Sequence, residues 1–68
     1  MEKGWVKIYT SQDSLKAELV MQLLRENDME VVLMNKKDSS YLNFGEIELY
    51  IHQNHFEQAV ELIIRNDL

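Results

Sequence analysis

Apolar and polar residues alternate without a break along Glu46-Ile47-Glu48-Leu49-Tyr50-Ile51. A period of two marks a strand buried on one side, and this stretch predicts the central strand of a small sheet. Trp5-Val6-Lys7-Ile8-Tyr9 alternates as well and predicts a first strand, with Val6 and Ile8 on one side and Trp5, Lys7 and Tyr9 on the other. Met29 to Met34 is apolar except for Glu30 and predicts a second strand with cover on both faces.

The helical period fills the gaps between these strands. Gln12 to Glu26 carries Leu15, Ala17, Leu19, Val20, Met21, Leu23 and Leu24, which at about 100° per residue spread over roughly two-thirds of the circumference. One sheet covers a narrower stripe than that, so the remainder calls for the second helix or another subunit. Thr10 or Ser11 is the expected N-cap, with Asp13 near the positive end of the dipole. Asn27 is the expected left-handed stop. Asn54 followed by Glu57 matches a capping box, and a second helix is expected from about His55 to Arg65. Its narrow apolar face is Phe56, Ala59, Val60, Ile63 and Ile64, with Arg65 at the negative end.

The order is therefore β-α-β-β-α. A right-handed crossover makes strands one and two parallel, and a third strand inserted between them gives an antiparallel sheet of order 1-3-2. This is an α+β, ferredoxin-like arrangement without a final strand, with both helices on one face against Val6, Ile8, Val31, Leu33, Ile47, Leu49 and Ile51. The opposite face would gather Trp5, Tyr9, Tyr50, Val32 and Met34 beside Lys7 and Glu48. An uncovered aromatic patch of that size marks a contact surface, and an open first strand invites pairing. A homodimer through this face or edge is expected.

Composition narrows the picture. The 68 residues allow a single domain, 1–68, and a chain this short buries only about 60% of its unfolded surface. It has no cysteine, which removes disulfides and thiolate metal sites and fits a reducing cytoplasm. Twelve acids against seven bases give a net charge of −5, the wrong sign for a nucleic-acid partner. No apolar run reaches the ~20 residues of a membrane span, and the start does not read as a leader. No cofactor motif occurs, since Gly4 and Gly45 stand alone.

The connection Asn35–Gly45 exceeds the ~4–6 residue median for loops and mixes Lys36 and Lys37 with the apolar Tyr41, Leu42 and Phe44. Long loops of this kind either fold back over the core edge or bind something. Its lysines suit an anion or simple solvation. Asp38, Ser39 and Ser40 have no triad spacing, because triads are defined by geometry. His52, His55 and Glu57 are the one metal-like grouping, and two imidazoles without a convergent third ligand are weak support for it.

Trp5-Val6-Lys7-Ile8-Tyr9-Thr10-Ser11, Lys16-Ala17-Glu18-Leu19, Leu23-Leu24 and Gly45-Glu46-Ile47-Glu48-Leu49-Tyr50-Ile51, with Ala59 and Leu62 in the last helix, carry a family likeness. Over nearly its whole length the chain resembles the family of small bacterial domains called putative prokaryotic signal transducing proteins. The resemblance implies a ferredoxin-like fold related to PII-type regulators, with Asn35–Gly45 as the working loop. Two departures limit it. Asn27-Asp28 stands where the family commonly turns with Gly, and the cysteine-rich tail of some members is missing, so no metal site carries over. The basic and Gly-rich segments with which PII proteins bind nucleotide are also missing, so nucleotide binding does not carry over.

The expected function is a non-enzymatic, cytoplasmic binding or regulatory module. It would contact a protein or small ligand through Trp5, Tyr9, Tyr50, Lys36, Lys37, Tyr41 and Phe44. The alternative is a small-molecule enzyme or metal-binding protein using His52, His55 and Glu57.

Overall fold

A computed structural model describes residues 3–35 and 46–68. The elements follow in the order β1 (Trp5–Ser11), α1 (Ser14–Glu26), β2 (Val31–Asn35), β3 (Ile47–His52), a 3₁₀ turn (Gln53–His55) and α2 (Phe56–Arg65). The sheet order is β1-β3-β2, with β3 antiparallel to both neighbours. This is the α+β, ferredoxin-like topology that the alternation predicts. No helix among the described residues is long and apolar enough to cross a membrane.

Alternation along β3 sends Ile47, Leu49 and Ile51 toward the helices, where all three are buried. Val20 and Leu24 of α1, Ala59 of α2, Met29 and Val31 close over Leu49 and Ile51 as one cluster. α1 spans all three strands, whereas α2 lies over β1 and against α1. The apolar arc of α1 is not fully used: Leu15 stays 64% and Leu19 46% exposed. Double-sided cover for β2 is also absent among the described residues, since Leu33 and Met34 are exposed.

Several ends differ from expectation, each for a local hydrogen-bonding reason. Asp13, and not Thr10 or Ser11, caps α1: its Oδ1 accepts from the Leu15 N–H at 3.0 Å and the Lys16 N–H at 3.4 Å. Ser11 instead accepts from the Asp13 N–H at 2.9 Å and holds the cap in place. At the far end Asp28, not Asn27, takes the left-handed conformation at φ 64°. Asn27 bends back, its Nδ2 donating to the Leu23 carbonyl at 2.8 Å. The Asn54–Glu57 capping box does not form. His55 occupies the N-cap of α2 without a side-chain bond, because the chain first makes the 3₁₀ turn.

The consequential difference lies in β1. Lys7 pairs with Tyr50 but Tyr9 pairs with Leu49, so the register slips by one residue at Ile8. This is a β-bulge, in which two residues oppose one. Beyond it the facing of the strand inverts. Tyr9 leaves the outer face and packs beside Val6 and Ile8 against the helix-side core. Its hydroxyl donates to the Leu68 carbonyl at 3.5 Å, tying β1 to the end of the chain.

Candidate functional site

Both helices occupy one side of the sheet, so the side chains on the other side form its outer face. Register places Trp5 opposite His52, Lys7 opposite Tyr50 and Thr10 opposite Glu48. From β2, Val32 sits opposite Tyr50 and Met34 opposite Glu48. Trp5 and Tyr50 therefore share this face as expected. The expected place of Tyr9 beside them is corrected by the bulge at Ile8. Lys36, Lys37, Tyr41 and Phe44 lie outside the described residues.

Glu48 is the chemical centre of the face. It is only 7% exposed, although both helices lie on the other side of the sheet. A carboxylate withdrawn from water needs hydrogen bonds to replace its hydration. Tyr50 Oη donates to its Oε1 at 2.8 Å, and Lys7 Nζ donates to its Oε2 at 3.3 Å. Tyr50 and Glu48 are two apart on one strand, and Lys7 reaches Glu48 diagonally from the next strand. Lys7 remains half-exposed, so it presents a cation at the surface while one partner is held below it.

At the strand end, Trp5 and His52 meet edge to face, with ring centroids 5.9 Å apart and planes at 80°. This is a preferred aromatic geometry. The imidazole is fixed from three sides. Its Nδ1 accepts the Asn54 N–H at 3.2 Å, which starts the 3₁₀ turn. Its other edge lies over Gly4, where an added Cβ would come within 3.0 Å of Nε2. Gly4 also holds φ +95°, a backbone region that other residues rarely adopt, and its carbonyl accepts the Gln53 N–H at 2.7 Å. Gly4 thus lets the chain enter β1 directly beneath the ring.

The trio His52, His55 and Glu57 is divided. His52 and His55 line a small polar cleft with Trp5, Asp28, Glu30 and Asn54, while Glu57 borders a separate groove on α2. Among the described residues no set of three or more His, Asp or Glu is placed to hold a metal ion. Sequence reasoning placed Lys7 and Glu48 on this face and His52 in the metal-like grouping, but missed the Lys7–Glu48–Tyr50 contacts and the pairing of His52 with Trp5. The signal for the first of these was present: strict alternation puts a base and an acid on the same sheet face. The place of His52 beside Trp5 became visible only with the register.

Fold and face together define a small α+β module with an aromatic and charged sheet surface. Residues 5–67 match the family described as "Putative prokaryotic signal transducing protein", and the chain belongs to that family. No curated protein and no solved structure matches it.

Proposed function

We propose that the chain is a non-enzymatic, cytoplasmic signal-transducing module that docks a protein partner or small ligand through the outer sheet face and the 35–45 connection. The observation that carries this reading is the pre-set state of the face. Trp5 is braced by His52, and Tyr50 and Lys7 are held on the buried Glu48. Side chains already fixed lose little entropy on binding, which is where pre-organised surfaces gain affinity. Trp and Tyr are also among the residues that most often anchor interfaces.

Affinity capture from the native cell, followed by mass spectrometry, tests the proposal with the wild type beside Trp5→Ala and Tyr50→Ala. A bound species lost from Trp5→Ala supports it, with affinity expected to fall about thirtyfold for an anchor worth about 2 kcal/mol. Capture that is undiminished in both variants refutes it.

A further inference from the structure

α2 carries a second apolar surface, on the opposite side of the sheet from the aromatic face. Phe56, Val60 and Ile64 recur every fourth residue and form a stripe along the helix. Phe56 is 41% and Ile64 72% exposed, while Ala59 is fully buried. At about 100° per residue the stripe is turned roughly a quarter-turn from Ala59. The shallow groove along it is bordered by Phe56, Glu57, Val60, Glu61, Ile64 and Arg65, all from α2, with no α1 residue on its rim. α2 lies over β1, and β1 is an edge of the sheet. A helix stripe and a strand edge therefore sit in two stacked layers.

We propose that this flank is a dimer interface and that its occupant is a second copy of the chain, related by a two-fold axis. The order of side chains along α2 is complementary to itself when reversed. Antiparallel packing about Val60 sets Phe56 against the partner's Ile64 and Val60 against the partner's Val60. The same reversal brings Arg65 within a helical turn of the partner's Glu57, whereas parallel packing would align like charges. Arg65 already donates to Glu61 in its own helix. A guanidinium has five donors in a fixed fork and can serve both acids. A two-fold axis produces this antiparallel, isologous arrangement.

Area also points to two layers. A ten-residue helix is only about 15 Å long, too short alone for the ~800 Å² per partner of a stable interface. The seven-residue β1 beneath it adds an edge of about 23 Å. The bulge at Ile8 limits regular edge pairing to the segments on either side of it.

Sedimentation equilibrium of the full chain over a concentration series tests the inference. The expected mass is about twice the 8.1 kDa protomer, and Val60→Glu should weaken association at least about tenfold. Circular dichroism checks that this variant folds. If it does not, the exposed charge pair decides: Glu57→Arg should weaken the dimer, and adding Arg65→Glu should restore it. A protomer mass at every concentration overturns the proposal, as does a double variant that restores nothing. A dimer lost in Trp5→Ala but kept in Val60→Glu and Glu57→Arg also overturns it, and would move self-association to the sheet face. The docking role of that face stands or falls separately, on the capture experiment.

Discussion

The two sides of β3 lose water by opposite means. Toward the helices, Ile47, Leu49 and Ile51 are buried, the latter two against Val20, Leu24 and Ala59, and apolar area supplies the driving force at ~25 cal/mol per Å². Away from the helices Glu48 is almost as buried as they are, but through hydrogen bonds from Tyr50 and Lys7. Net gains from hydrogen bonds to a charged group are about 1.5–3 kcal/mol each, reduced for Lys7 because its side chain is half exposed. The helix side therefore sets stability. The outer side contributes less to it and is left to specify what binds.

Substitutions on the two sides should separate accordingly. Leu49→Ala removes a fully buried side chain at the centre of the core and should cost about 2–5 kcal/mol. A 68-residue chain at ~0.05–0.15 kcal/mol per residue has only about 3–10 to lose. Urea titration should show the midpoint collapsing, or no cooperative transition remaining. Tyr9→Ala should come next, at about 2–3 kcal/mol, since the ring is half-buried beside Val6 and Ile8. The same measurement then decides on which side Tyr9 belongs, because an outer-face tyrosine would yield less than about 1 kcal/mol.

Tyr9 also shows where the sequence stops being legible. Alternation located β1, β3 and the inward set of β3, because a half-buried strand has to repeat every second residue, while an apolar run located β2 and the right-handed crossover gave the order. Alternation read straight through Ile8, however. A bulge adds a residue without leaving a mark in the pattern when both bulged residues, here Ile8 and Tyr9, tolerate burial. Tyrosine is apolar along its ring and polar at its tip, so either facing is chemically acceptable. The Trp5–His52 contact was hidden for a similar reason: it depends on register and on the positive φ of Gly4, neither of which is a property of local composition. The predicted contribution of the 35–45 connection rests on residues that are mostly outside the described structure.

On the outer side, Glu48→Ala should cost about 1–3 kcal/mol, because it leaves the partly buried Tyr50 hydroxyl without this acceptor. Thermal denaturation followed by circular dichroism is sensitive enough to see it. Asp13→Ala, at the exposed cap of α1, should cost about 1 kcal/mol and serves as a reference that touches neither side of the sheet.

The smallest effect tests the division most sharply. Lys7 is bonded to the buried Glu48, yet its own side chain is 50% exposed. Water therefore screens the pair from one end, and Lys7→Ala should change stability by less than about 1 kcal/mol. A double-mutant cycle of Lys7→Ala with Glu48→Ala isolates the pair from everything else that either residue does. A coupling below about 1 kcal/mol, combined with loss of the species captured by the wild type, would mean that Lys7 is placed for binding and not for folding. A coupling of several kcal/mol would instead make the outer face a second structural core, and the contrast between the two sides of β3 would disappear.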